Sequence, residues 1–502
     1  MDIFFYIITL VLTFFSRKIF LDRLGAEFIG LTGTLQNILG LLNIAELGIG
    51  VAVSYALYRP LHQQNRLEID QIVSVFGYMY RRVGLVIMAI AVFVSLFLPL
   101  IFKGTGFSFS IIYFAFYSFL VSTLISYFCN YRSILLSADQ KNYLVNAYFK
   151  TGNIIKTLIQ LYIARQCANY YIWITIELLY GGVCSCLLNW KIRRVYPWLD
   201  AHAQKGREQI RNYPEIMTRT KQVFVHKLKD FFLGQSDQIL IYAFASLSMV
   251  AYYGNYTMIM SRSAAALGLF LTGLSAGVGN LVAENNHTKI LSVFWELISI
   301  RYFITGVIIF GLYNFTQPLI TLWLGEEYLL PRGVFLMLLT VNIITVLRHA
   351  VDMYIAAYGL YADTWSAWLE FGINVTVSLI GGYFFGLYGL LAGKILSLLV
   401  VVVIWKPFYL FRDGFHEKYS DYWCGILRYI GICVTAIILG GWLKEAFMSY
   451  DLLLSGYIPF FCISATVIII YSILQSILMY TLSISFRAMV ARFVHFKFIS
   501  KA

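Results

Sequence analysis

KIRRVYPWLDAHAQKGREQIRNYPEIMTRTKQVFVHKLKD, residues 191–230, is the longest polar run in an otherwise apolar chain. Its bases are Lys191, Arg193, Arg194, Lys205, Arg207, Arg211, Arg219, Lys221, Lys227 and Lys229; its acids are only Asp200, Glu208, Glu215 and Asp230. Between membrane spans such a loop stays on the cytoplasmic side, because Lys and Arg resist translocation. It therefore fixes the orientation of what comes before and after. It reads as a solvated linker, with a site for anionic lipid or a regulator as the alternative. The stretches on either side are too apolar to be soluble domains.

Of 502 residues, 60% are hydrophobic and only 13% charged, where soluble domains carry about 25% charged residues. Mean hydropathy is +0.74. Together with the long apolar runs this gives an all-α polytopic membrane protein. The net charge of +13 sits mainly in short segments between apolar runs. That is a topology signal, and nucleic acid is excluded as a partner. MDIFFYIITLVLTFFSRKIF has no basic leader and no small-residue cleavage site, so it reads as an uncleaved first span. The seven cysteines include no C-x-x-C pair, and neither metal nor disulfide is expected. No P-loop and no H-E-x-x-H occurs. His349 and Asp352 form an H-x-x-D run too short to mark an enzyme, and no catalytic residue is assigned.

At about 20 apolar residues per span, about fourteen helices are expected: 3–21, 28–57, 83–102, 109–130, 144–164, 170–190, 231–250, 252–283, 302–324, 334–357, 366–385, 387–405, 425–443 and 455–480. With the N-terminus inside, inner segments hold about 25 Lys and Arg and outer segments about 7, so both termini are expected in the cytoplasm. The inner segments include 284–301 and 406–424. The expected organisation is an N-lobe over 1–190, the basic linker 191–230, a C-lobe over 231–410, and two further spans with a cytoplasmic tail over 411–502. Transporters are often built from two such halves.

Charges inside spans face a cavity or a partner. Arg17, Lys18, Asp22 and Arg23 close the first span, and Glu46 lies in the second. Lys150 and Lys156 lie in the fifth, Asp237 in the seventh and Arg262 in the eighth. Arg348 and Asp352 lie in the tenth, Glu370 in the eleventh and Lys394 in the twelfth. Arg348 and Asp352 are four apart on one helix face and can pair. Lys156 and Arg262 have no acid within four residues, so each lines a wet cationic cavity, pairs across helices, or snorkels. A cationic cavity suits an anionic amphiphile, with Arg17, Lys18, Arg23, Lys156, Arg262 and Arg348 as the candidate phosphate-binding residues. Glu46, Asp237, Asp352 and Glu370 are the candidate sites for a coupling H+ or Na+.

Residues 17–61, RKIFLDRLGAEFIGLTGTLQNILGLLNIAELGIGVAVSYALYRPL, carry Arg17, Leu24-Gly25, Glu27, Gly30, Ala45-Glu46-Leu47-Gly48 and Leu57-Tyr58-Arg59-Pro60. This resembles the opening of bacterial polysaccharide flippases of the multidrug/oligosaccharidyl-lipid/polysaccharide exporter (MOP) superfamily. Residues 236–259, with Asp237 and Tyr253, are similar to that family's seventh and eighth spans. LWLGEEYLLPRGVFLMLL and INVTVSLIGGYFFGLYGLLAGKILS resemble later turns, through Gly325, Tyr328, Asn374, Gly386, Gly389 and Gly393. The resemblance covers about residues 1–410. It implies two six-helix lobes, two C-terminal helices and alternating access around a central cavity. It also implies export of undecaprenyl-pyrophosphate-linked oligosaccharide across the inner membrane, for O-antigen or capsule. The expected partners are that substrate, membrane lipids and polysaccharide polymerase machinery. A multidrug/cation antiporter of the same fold is the first alternative. An integral-membrane polymerase or transferase is the second, disfavoured because the longest loop is cytoplasmic.

Overall fold

The computed structural model describes residues 2–43, 48–218, 220–221, 224, 238–271, 274–360, 363–447 and 453–499. Among these no strand occurs, and the regular elements are helices. The class expected from the sequence, an all-α polytopic membrane protein, is the class observed. Eight of the described helical stretches are long and apolar enough to cross a bilayer. Large apolar side chains such as Phe93, Leu96, Leu100 and Phe385 stand exposed on their surfaces, as they do where lipid is the solvent. By packing, the chain forms two compact units, Met1–Ala251 and Tyr252–Ala502.

The first unit contains α1 (Asp2–Leu24), α2 (Ala26–Leu42), α3 (Ile49–His62), α4 (Arg66–Ser95), α5 (Phe109–Cys129), α6 (Asn142–Gln166) and α7 (Tyr170–Val195). The expected span 28–57 is two helices. Gly48, before α3, has φ 94, a left-handed conformation that an L side chain resists. Asparagine caps start two helices. The Asn65 side chain accepts from Glu68 N at 3.3 Å, and Asn169 does the same for Tyr171 N at 2.9 Å, satisfying otherwise orphaned donors.

Residues 196–216 are not a solvated linker. Ala201 and Ile216 are buried in one core with Ile72, Val73, Phe76 and Leu135. Tyr131 Oη and Arg132 Nη2 donate to the Ala201 carbonyl at 3.1 and 2.8 Å. His202 N donates to Ser74 Oγ at 3.1 Å, and Tyr213 Oη to Gln71 Oε1 at 2.8 Å. Gly206 lies so close that a Cβ there would stand 2.1 Å from the Ser74 carbonyl oxygen. Tyr196 Oη donates to Asp139 Oδ2 at 2.6 Å, and Lys141 Nζ lies 2.7 Å from the same oxygen. Burial alone would raise the Asp139 carboxyl, but the Lys141 and Tyr196 hydrogen bonds outweigh it and hold the group below its ordinary value. The physical reason for the docking is the set of apolar positions between the bases.

In the second unit, α8 (Leu247–Leu271, beginning in the first unit) and α9 (Leu274–Ala283) take the place of the expected span 252–283. They are followed by α10 (His287–Trp323), α11 (Arg332–Leu347), α12 (His349–Ala357), α13 (Thr364–Phe385) and α14 (Leu387–Ser397). The chain then widens into π-helix over Leu398–Trp405, tightens over Lys406–Tyr409, and widens again over Leu410–Phe415. The unit ends with α15 (Tyr419–Phe447), α16 (Tyr457–Leu482) and α17 (Ile484–Ile499). Two expected inner loops are corrected. Residues 284–301 are helical from His287, capped by Asn286 on Lys289 N at 3.1 Å. Lys406 lies inside the helical run 387–415. Phe294 anchors the core, its ring 5.2 Å from Tyr354, 5.7 Å from Phe411 and 5.1 Å from Phe415.

Candidate functional site

Charge inside the apolar helices gathers at two places. In the first unit, Lys156 on α6 meets Glu177 on α7, Nζ to Oε1, at 2.8 Å. Gln160 Nε2 donates to the other Glu177 oxygen at 3.1 Å. Lys156 Nζ also stands 4.8 Å from the centre of the Tyr180 ring. Of the three arrangements open to Lys156, the structure shows the pair across helices. A cavity of about 550 Å³ adjoins it, lined by Lys156, Tyr180, Thr151 and apolar residues such as Ile155 and Leu179.

In the second unit, four helical stretches converge. Arg348, between α11 and α12, places Nε 2.8 Å from Asp352 Oδ2, as the four-residue spacing predicts. Its Nη1 lies 3.9 Å from Oε1 of Glu370, an almost fully buried residue of α13. Lys406 Nζ donates to Asp352 Oδ1. Asp352 thus carries two bases. Arg301 of α10 is buried and within electrostatic reach of Asp352. Beside Arg348 runs a cleft of about 390 Å³. Its lining includes Ile298, Tyr302, Thr305, Val402, Tyr422 and Ile426, a mostly apolar wall with few polar groups, as in small-molecule sites.

The remaining expected site residues are dispersed. Arg17 Nη2 donates to the Ala251 carbonyl at 3.0 Å. Lys18 is half-buried and Arg23 exposed, both on α1. Arg262 is half-buried on α8 in the second unit. Glu46 and Asp237 lie outside the described residues. Sequence reasoning missed Glu177, Arg301 and Lys406 as members of these clusters. Arg301 and Lys406 fall within the inner segments expected from the sequence. Glu177 could have been found as the acid in an apolar run opposite Lys156. The letters G-x-S-x-G occur at 273–277. Leu274–Ala283 is helical, Gly273 lies outside the described residues, and no strand that could open a nucleophile elbow occurs among the described residues.

With this geometry the chain can be set beside solved structures. It superposes on "Lipid II flippase MurJ, inward closed conformation" with TM-score 0.67 and 14% identity, over 95% of this chain and 99% of that one. An inward-facing multidrug resistance MATE family transporter of the MOP superfamily matches with TM-score 0.59 and 15% identity, over 80% of this chain and 94% of that one. The chain shares the fold of these two solved transporters. It does so with little shared sequence; no protein-family model and no curated protein matches the chain. Within that fold, the cluster around Arg348 and Asp352 lies wholly in the second unit and the Lys156–Glu177 pair wholly in the first.

Proposed function

We propose that this protein is a flippase rather than an enzyme. It moves an undecaprenyl-pyrophosphate-linked oligosaccharide across the bacterial inner membrane by alternating access, for O-antigen or capsule synthesis, with both termini cytoplasmic. The observation that supports this most is the near end-to-end correspondence with a lipid II flippase. The abundance of bases within apolar helices agrees with an anionic cargo. Arg17, Lys18, Arg23, Arg262 and Arg348 are the proposed phosphate-binding residues. Lys156, already paired, takes a positioning role. Asp352 carries two bases and is a poor site for an added cation, so Glu46, Asp237 and Glu370 are the better candidates for H+ or Na+ coupling. Polysaccharide polymerase machinery would take up the product.

The test is a leaflet-accessibility assay on purified protein in liposomes with labelled lipid-linked sugar. Arg17→Ala and Arg262→Ala should each slow flipping about tenfold or more, the value of a lost charged hydrogen bond. Undiminished flipping by both variants refutes the assignment. The MATE likeness gives a second reading, a cation antiporter. The same liposomes loaded with an organic cation would report it as efflux driven by H+ or Na+.

A further inference from the structure

Where α6 packs on α7 in the first unit, the two backbones come close. A Cβ on Gly152 would stand 2.3 Å from Cys184 Sγ, and Tyr180 Oη donates to the Phe149 carbonyl at 3.0 Å. Small side chains let helices approach in this way in lipid. Longer ones rise on either side: Ile155 on α6, and Leu179, Val183 and Leu187 on α7, each about half exposed. The result is a groove, the cavity of about 550 Å³, with Gly152 and Cys184 in its lining. Lys156 lines it too, but Glu177 at 2.8 Å balances its charge. Hydrocarbon is what such walls favour.

The groove has a length and a direction. From Ile176 to Leu187 its lining climbs three turns of α7, about 16 Å. That is about half of a hydrocarbon core of about 30 Å, the depth of one leaflet. Beyond Leu187 the same helix face turns polar, with Trp190, Lys191 and then Arg194. None of the three lines the groove; they stand at its mouth. Helical side chains lean back toward the N-terminus of their helix. The Arg194 guanidinium does so, lying 4.0 Å from the centre of the Trp190 ring, which brings its charge back toward Leu187. Trp190 and Arg194 are both exposed. Asp139, before α6, and Asp200, after α7, each lie 2.7 Å from a lysine, Lys141 and Lys205. A tryptophan with cations beside it is what a helix shows where hydrocarbon gives way to headgroups. An apolar groove one leaflet deep, ending at two cations, fits one acyl chain carrying an anionic head.

We propose that the groove between α6 and α7 holds one acyl chain of an anionic phospholipid from the surrounding bilayer, its headgroup at Lys191 and Arg194. This requires nothing of the molecule that the protein transports. The test is native mass spectrometry of the full chain released from detergent micelles. The micelles are doped with phosphatidylglycerol, with phosphatidylcholine of the same acyl chains, or with phosphatidylglycerol and an equal amount of undecaprenyl phosphate.

Each base near a membrane surface favours an anionic lipid about fivefold. Wild type should therefore retain phosphatidylglycerol about tenfold or more better than phosphatidylcholine. Lys191→Gln with Arg194→Gln should abolish that preference, and Arg194→Lys should keep most of it. Val183→Trp fills the groove from a half-exposed position, and should cut retention of phosphatidylglycerol about tenfold with both bases intact. Equal retention of the two lipids, an unchanged preference in the double variant, or unchanged retention in Val183→Trp would each overturn the proposal. So would displacement of phosphatidylglycerol by undecaprenyl phosphate, which would make the groove part of the cargo's path. Because no flipping is measured, failure here leaves the transport reading standing, and failure of transport leaves this one.

Discussion

Replacing Glu177 by Gln strands a cation inside the first unit. The Glu177 carboxylate accepts from Lys156 at 2.8 Å and from Gln160 at 3.1 Å. The two charged side chains retain only 12% and 17% of their exposure. Removing one member of a buried pair costs about 3–5 kcal/mol. The adjoining cavity admits some relaxation, so the lower figure, about 3 kcal/mol, applies here. The unfolding equilibrium then shifts by about two orders of magnitude. Removing both charges, in Lys156→Met with Glu177→Gln, should recover most of that loss and give a coupling of about 2 kcal/mol. Reversible unfolding of the four proteins in bicelles measures the cycle. If the double variant is as unstable as Glu177→Gln alone, the pair is not the structural unit described. The liposome assay then separates roles: a stable double variant that flips normally shows that Lys156 holds helices together, and one that does not shows that it meets cargo.

Three further outcomes follow from the docked segment and the C-terminus. Gly206→Leu should drive residues 196–216 off α4, because even a Cβ there meets the Ser74 carbonyl oxygen at 2.1 Å; amide exchange across that segment should rise about tenfold or more. The depressed Asp139 carboxyl contributes stability above its unfolded value near about pH 4, and loses it as pH falls through the lower folded value. An acid limb of unfolding should therefore flatten in Asp139→Asn, and move to higher pH in Tyr196→Phe. Arg492 on α17 reaches the buried Glu296 of α10 at 2.9 Å, so Arg492→Ala should loosen α17, read as faster exchange in 484–492 with little change in α10.

Apolar run length and the distribution of bases made the membrane class and most helices legible, since both signals are local. What stayed hidden depended on partners distant in sequence. Arg301 and Lys406 stand at the edges of apolar runs, where a charge looks like a loop charge. Only the helix start at His287 and the continuous run to Phe415 move them inside. The Arg348–Asp352 pair was legible because its spacing is a property of one helix. The Lys156–Glu177 pair was not, because it joins two. The docking of 196–216 was obscured by its bases, which outweigh in composition the tyrosines and aliphatics that bury.

The wide turns before Lys406 have a consequence for how this chain tolerates change in length. A π turn holds more residues than an α turn. Losing a single residue between 398 and 405 would let the backbone relax to ordinary α-helix while what lies beyond keeps nearly the same face, because an α turn covers about the same rotation with fewer residues. Lys406 would stay beside Asp352, and Phe411 and Phe415 in the ring cluster around Phe294. Deletions of one residue here should thus be milder than the same deletion in a neighbouring α-helix, where everything beyond it rotates by about 100°.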